Sequence, residues 1–423
     1  MATRLGTTAA VGASTADPAV RERVGMFAAL RIPSYTPLLV AGWLWNISRW
    51  GTGFLGAYLA NQLTGSARLV QLTGVALWAP LLVGGVAGGL ISDRFDRQKA
   101  VTGLFLVLIP LALAMGIAGV ADAIELWMVY PFLFVMGIGW VLDMTCRRAL
   151  VYDVVGGHRI DNAMALESVS TSSGLALGSL VGGSAIQAIG VGPAFLCIAV
   201  LLSGALVSFR QVPKIDRVGA AATERPLRAL RSAFGLLKTE RALLSVLGIT
   251  AVVNFFFFSF TPLIQLIGSD LGANAFLTGL LAAMMGVGMM IGSSIVARFQ
   301  PRRRGLVYVG GSALAMGVLV LFALAPWYLG ALAALVVSAT GMGLFGSTQG
   351  TLVMTSVDAE RRGRALGLLS MAIGVLPAGM IALGELAEVV GARAAIVSSV
   401  LAGAASGVLW LLRRPECLSL TTD

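Results

Sequence analysis

The chain has 423 residues, of which 57% are hydrophobic and only 12% are Asp, Glu, Lys or Arg, about half the charged share of an ordinary soluble protein. A soluble fold of this length would lack the charges to cover its surface, so a soluble enzyme, a disordered chain, a coiled coil and a disulfide scaffold are excluded as the main body. The formal net charge of +10 comes from 30 Lys and Arg against 20 Asp and Glu, and the placement of those bases decides what the charge is for.

In chain order, residues 1–37 carry Arg4, Arg21, Arg23 and Arg31 together with Asp17 and Glu22. They lack a short apolar core followed by a small-residue cleavage site, and read as a retained cytoplasmic tail. Apolar stretches long enough to cross a bilayer as helices then recur twelve times, at 38–60, 69–92, 100–120, 126–146, 163–188, 192–210, 242–265, 274–297, 306–325, 327–352, 365–388 and 392–412. The second half of 327–352 is polar, with Thr340, Ser347, Thr348 and Gln349. His158 stands in a polar loop without a second histidine, and Cys146, Cys197 and Cys417 are scattered with no CxxC. No metal site, disulfide framework or cofactor is expected from them.

The bases set the orientation. With the amino terminus inside, 27 of the 30 Lys and Arg fall in cytoplasmic segments, Arg68 and Arg393 fall outside, and Arg49 lies within span one. The positive charge is then a bias toward an anionic inner leaflet, with membrane lipids as partners and no nucleic acid needed. Residues 211–241, with Pro213 and Pro226, form the longest non-spanning segment and separate 38–210 from 242–412, leaving 413–423 as a second cytoplasmic tail. An internal repeat supports that division. Arg94-Phe95 after span two matches Arg298-Phe299 after span eight at an offset of 204, and LVYDVV at 150 matches LVMTSV at 352 at an offset of 202. The expected fold is an all-α integral membrane protein with 12 transmembrane helices in two pseudo-symmetric six-helix bundles and a substrate site between them near the midplane.

Local motifs carry a resemblance. Between spans two and three stand Gly89, Asp93, Arg94, Arg97 and Lys99, with Asp96 inside the run DRFDR; span five reads GLALGSLVGG, placing Gly174, Gly178, Gly182 and Gly183 with Ser179 among them. The first motif resembles the loop of the major facilitator superfamily, with Asp96 where the family at large has glycine, a form common in its drug and siderophore exporter branch, the macrolide-efflux and enterobactin-exporter type. The second is similar to that branch's antiporter signature, with Ser179 where proline is expected. The resemblance covers residues from about 27 to 412 and implies a cytoplasmic gate in which Asp93 contacts the start of span eleven near Arg364 and a base near span four, here Arg148. The residues alone also fit simpler roles: topology charges and a tight loop in the first motif, close helix packing in the second.

Arg49 lies near the middle of span one, where a lipid-facing arginine would cost roughly 2.5–3.5 kcal/mol, so it should face the central cavity. No carboxylate is expected at its depth, which favours an anionic or oxygen-rich substrate, with Asn46 and Asn254 as further contacts; the same asparagines would equally satisfy Arg49 as a structural anchor. Asn254 precedes Phe255, Phe256, Phe257 and Phe258, of which at most one or two face a cavity. Trp43, Trp45, Trp50 and Trp78 line a pocket or pack the core. Asp143 and Arg147 are spaced for an ion pair on one helix face. Asp143 and Glu167 near the inner ends of spans four and five, and Glu385 near the outer end of span eleven, are the candidates for carrying a coupling proton; the first two equally suit gate partners for Arg147 or Arg148.

The reading that absorbs most of these features is a monomeric secondary exporter of the bacterial inner membrane, both termini cytoplasmic, moving small amphiphilic or anionic metabolites such as drugs or siderophores against protons. A lipid or lysolipid transporter of the same fold and a non-transporting receptor are the alternatives. The absence of Walker, HExxH and GxSxG patterns argues against ATP drive and against hydrolase chemistry.

Overall fold

The computed structural model describes residues 28–94, 96–156, 159–214 and 234–421; the side chains of Ala28, residues 83–94, Asp161 and Ala359 are outside that description. His158 and most of the 211–241 segment therefore lie outside the described residues, as does the first part of the amino-terminal tail.

Helices dominate the described residues, and no strand occurs among them, as expected where backbone N–H and C=O groups must be satisfied within a segment away from water. They run α1 Tyr35–Thr64, α2 Ala67–Arg94, α3 Arg97–Val120, α4 Leu126–Leu142, α5 Arg148–Val155, α6 Ile160–Ile189, α7 Val191–Arg210, α8 Arg241–Phe256, α9 Ile264–Asp270, α10 Ala275–Phe299, α11 Arg304–Leu324, α12 Tyr328–Thr355, α13 Arg362–Ile373, α14 Leu376–Val390 and α15 Ala392–Arg413. Joined where they run on into one another, they give ten helices among the described residues that are long and apolar enough to cross a membrane. Helix α1 is 30 residues long but is diluted by Asn46, Ser48 and Arg49, and the described apolar part of α2 is Ala67–Leu82.

The caps follow from local chemistry. Asp96 accepts from the backbone N–H of Gln98 (2.9 Å) and Lys99 (3.1 Å) and starts α3, so the residue that departs from the broad family motif is the helix N-cap. Asn274 likewise caps α10 by accepting from Leu277 N–H at 2.9 Å.

Apolar burial does little to hold helices together in lipid, so close approach must. Gly174, Gly178 and Gly182 turn one face of α6 onto α1, where a Cβ on Gly178 would meet Ile47 O at 2.6 Å and Gly51 N at 2.8 Å. Gly183, on the neighbouring face, meets α10 backbone to backbone, with Gly279 Cα 2.9 Å from where its Cβ would be. Helix α6 is thus clasped between α1 and α10, while α14 packs along α2.

Three spans expected to be continuous are broken. Span four turns through a π segment, Asp143–Arg147, and continues to Val155, nine residues beyond its expected end. Span seven leaves the α-helix after Phe256 and passes through a 3-10 segment, Phe258–Leu263; Pro262 lacks an N–H and its ring opposes the carbonyl four residues earlier. Span eleven is interrupted between Ile373 and Leu376, just ahead of Pro377. The segment expected as a second tail, 413–423, is described as far as residue 421. Its Pro415–Ser419 turn docks against the membrane helices, with Cys417 N–H donating to Ser245 Oγ (3.2 Å) and Leu420 O accepting from Gly305 N–H (3.2 Å).

Candidate functional site: a tryptophan-caged arginine in a central cavity

A cavity of about 260 Å³ lies where the three broken spans meet α1, α2, α6, α10 and α12. Arg49 and Trp50 of α1, Trp78 of α2 and Trp140 of α4 form one wall; Asn254, Phe258, Met285 and Met342 are among those opposite. A smaller cavity of about 60 Å³ shares Trp50, Trp78 and Met285 and extends toward Pro262, Gln265 and Met380.

Arg49 is 1% exposed, and its charge is met by indoles. Its guanidinium carbon lies 3.4 Å from the ring centre of Trp140, 4.1 Å from that of Trp50 and 5.7 Å from that of Trp78. Trp78 and Trp140 themselves touch at 4.3 Å between centroids. Desolvated cation–π contacts of this kind are worth about 2 kcal/mol or more. Arg49 Nη1 and Trp50 Nε1 are buried without a hydrogen-bond partner.

Sequence reasoning placed Arg49 at the cavity, and there it lies together with Asn254, whose Nδ2 donates to Thr250 O at 2.9 Å. Asn46 lies apart, buried between α1 and α6 and donating to Gly42 O (2.9 Å) and Ser170 Oγ (3.4 Å). Of the four phenylalanines after Asn254, Phe258 lines the cavity, while Phe257 is buried against Phe260. Trp50 and Trp78 line it; Trp45 packs on Phe105, and Trp43 donates to Ser173 Oγ at 2.9 Å. Trp140 was missed, because an aromatic residue inside an apolar run carries no signal until its neighbour in space is known.

The ionisable candidates form a second cluster. Arg147 pairs through Nε with Asp143 Oδ1, and its Nη2 donates to Glu167 Oε2 at 2.7 Å. All three groups are buried, and Glu167 Oε1 and Arg147 Nη1 have no partner. The guanidinium fits because residue 42 is glycine, where a Cβ would stand 2.3 Å from Arg147 Nη1. The spacing reading of Asp143 and Arg147 as a pair agrees with this. Span four runs past them to Val155, and Asp143 is the chain neighbour of the cavity-lining Met144.

The second half carries a neutral counterpart. Thr250 Oγ1 and Tyr308 OH are 2.8 Å apart, and Gln349 Nε2 donates to Thr250 Oγ1 at 3.1 Å. The repeat offsets of 202 and 204 relate Gln349 to Arg147 and Thr250 to Asn46, so an amide stands in the second half where the first holds a guanidinium.

Glu385 belongs to neither cluster. At the end of the molecule beyond α1 it pairs with Arg68 at 2.9 Å, both side chains about half exposed. Nearby, Glu388 accepts from Ser66 Oγ (2.9 Å) and Arg68 N–H (3.0 Å), Asn61 Nδ2 donates to Ser269 Oγ (2.8 Å), and Gln71 Nε2 donates to Ser259 O (2.9 Å). These bonds tie α1 and α2 to span seven and α14 at that end.

Among the gate candidates, Arg97 pairs with Asp153 at 2.9 Å, Arg148 Nε is buried without a partner, and Arg364 is exposed at the start of α13. The side chains of Gly89, Asp93 and Arg94 fall outside the described residues.

An all-helical membrane protein whose helices enclose a polar-spotted cavity at their broken midpoints has the architecture of a small-molecule transporter. The sequence matches the family model described as Major Facilitator Superfamily over residues 38–379. The chain belongs to that family, and is therefore a secondary-active transporter working by alternating access rather than an enzyme. It is 27% identical over 363 residues to an uncharacterized MFS-type transporter, YfiS, of Bacillus subtilis, covering 80% of this chain and 82% of that one. It is 23% identical to macrolide efflux protein A of Streptococcus pyogenes, over 75% of this chain and 82% of the relative. Among solved structures, a bacterial homolog of the human lysosomal transporter Spinster, inward-facing and unoccupied, superposes with a TM-score of 0.70 at 16% identity, covering 92% of this chain and 99% of the other. A POT family transporter in complex with a thioalcohol-conjugated peptide gives 0.74 at 12%, covering 91% and 96%. At those identities the likeness is one of fold.

Proposed function

We propose that this protein is a proton-coupled exporter of small amphiphilic compounds, built as twelve spans in two six-helix bundles, 38–210 and 242–412, in a bacterial inner membrane with both termini cytoplasmic. The observation that carries the reading is the cavity itself. Its aromatic and methionine wall suits apolar bodies of varied shape, its one charged lining residue among the described residues is Arg49, and its volume of about 260 Å³ is near the lower end of ligand pockets, roughly 300–1,000 Å³. Names such as macrolide efflux protein A among the relatives support the outward direction.

Two features support the bundle pairing and the coupling. The offset of 204 carries α2 onto α10, and that of 202 carries α6 onto α13 and α14; a two-fold axis along the membrane normal would therefore exchange the α2–α14 and α6–α10 contacts. Helices α1 and α2 complete the count of twelve. Glu167 is the coupling residue, because it is buried, holds one oxygen unpartnered and shares Arg147 with Asp143. Protonating it weakens its bond to Arg147 and biases the halves toward the other state. Asp143 is its partner in that exchange, and Glu385 belongs to the far-end closure. The inner latch is formed by Gly89, Asp93, Arg94 and Arg97 with Arg148 and Arg364, while Gly174, Gly178, Gly182 and Gly183 are the sliding face of α6.

The test is flux of a fluorescent amphiphile in proteoliposomes under an imposed pH gradient. Wild type should concentrate the dye against the gradient of protons, whereas Glu167→Gln should lose gradient-driven accumulation yet retain exchange of labelled for unlabelled dye. Loss of both activities in a folded variant would make Glu167 a structural ion-pair member only.

A further inference from the structure

We infer that the cavity selects amphiphiles bearing a single planar oxyanion, such as a carboxylate, on an apolar body, and that Trp140 sets this preference by holding Arg49. The inference rests on the exporter reading and narrows its substrate class.

Three observations lead there. First, the buried side-chain atoms on the 260 Å³ cavity wall that lack a hydrogen-bond partner are both donors, Arg49 Nη1 and Trp50 Nε1. A buried donor without an acceptor is costly, so an occupant that brings an oxygen lone pair is favoured over one that brings another N–H. The neighbouring 60 Å³ cavity differs in offering an unpartnered acceptor, Gln265 Oε1. Second, no Asp or Glu lines the main cavity among the described residues. Asp143 and Glu167 are both committed to Arg147, leaving Arg49 without a carboxylate of its own.

Third, the indoles decide how Arg49 is approached. The ring centres of Trp50 and Trp140 are 6.2 Å apart, and the guanidinium carbon, 4.1 and 3.4 Å from them, sits in the cleft between the two. The two rings meet at 60°, so they cannot both stack flat on the guanidinium; they hold the cation without supplying an acceptor to Nη1, and a carboxylate oxygen is the matching acceptor for that donor. They also keep water from the cation. A small hydrated anion would have to shed its shell without compensation, whereas an oxyanion carried on an aromatic or alkyl body gains contacts with Phe258, Met285 and Met342 in the same step. A cationic amphiphile would meet Arg49 at close range and be repelled in a medium of low dielectric.

The experiment uses purified full-length protein in detergent, titrated with 1-naphthaleneacetate, its neutral amide 1-naphthaleneacetamide and the cationic 2-(1-naphthyl)ethylamine, with acetate as competitor. In wild type the carboxylate should bind roughly tenfold or more tightly than the amide, the amine should bind most weakly, and acetate should not compete. Arg49→Gln should bring the carboxylate-to-amide ratio to about one. Trp140→Phe should reduce the ratio partly and Trp140→Leu further. If Trp140→Leu weakens carboxylate and amide by the same factor, Trp140 is packing and its share of the inference is overturned. Equal binding of the three ligands by wild type overturns the oxyanion preference but leaves the exporter reading standing. Failure of all three to bind, with no dye flux under a pH gradient, brings down the exporter reading and this inference with it.

Discussion

Arg49 and Arg147 show how two arginines inside a membrane protein reach different ends. Arg147 is compensated by two carboxylates, one on its own span and one on α6, whereas Arg49 is compensated by three indoles. The first arrangement is rigid and intolerant of losing a member, because the remaining charges stay buried. Arg147→Gln should therefore destabilise the protein by about 3–5 kcal/mol, read as a lowered midpoint in thermal unfolding in detergent, while Arg49→Gln should cost distinctly less. Equal losses would show that the indole cage is as essential to the fold as the ion triad. The sequence disclosed Arg49 because a lone charge in an apolar run must have a reason to be there. It disclosed the Asp143–Arg147 pair through spacing and offered Glu167, twenty residues on, as a partner for Arg147 or Arg148, but which of the two arginines it meets required the fold.

At the scale of elements, the regular spans were legible and their interruptions only in part. The apolar runs expected at 163–188, 192–210, 274–297 and 306–325 fall within a few residues of α6, α7, α10 and α11, since lipid demands helices wherever the chain is apolar for long enough. Hydropathy, however, is blind to how a helix is wound. The π turn at Asp143–Arg147 has no proline or glycine to announce it, while Pro262 and Pro377 did offer a signal for the other two breaks. The glycines of α6 were visible as a pattern, but their two addresses, α1 for Gly174, Gly178 and Gly182 and α10 for Gly183, required the fold. Gly178→Val should drive its side chain into the backbone of Ile47 and Gly51, which cannot yield as a side chain would. The expected outcome is loss of monodisperse protein on size-exclusion chromatography, with Gly346→Val, in open space, as the tolerated control.

For the whole molecule, the far-end bonds among Asn61, Ser269, Ser66, Arg68, Glu385 and Glu388 join α1 and α2 to α9 and α14 at one end. The exposed ion pair between Arg68 and Glu385 adds little by itself, about 0–1 kcal/mol, which suits a closure that must open in every cycle. An Asn61→Cys/Ser269→Cys pair, placed where those side chains now meet at 2.8 Å, should form a disulfide that stops transport under oxidation and releases it on reduction. The native thiols interfere little, since Cys146 and Cys417 are buried and Cys197 is only partly accessible. Unchanged flux with the disulfide formed would mean that this end does not part during transport.

The account turns on the claim that substrate passes through the cavity beside Arg49. Gly346 lines that cavity, and a Cβ there would meet nothing within 4 Å, so a large side chain at this position fills the space without disturbing helix packing. The measurement is pH-gradient-driven amphiphile flux in proteoliposomes holding equal amounts of wild type and Gly346→Trp. Abolished flux in a variant with wild-type thermal stability is the predicted result; flux at the wild-type rate with the cavity filled would contradict the claim.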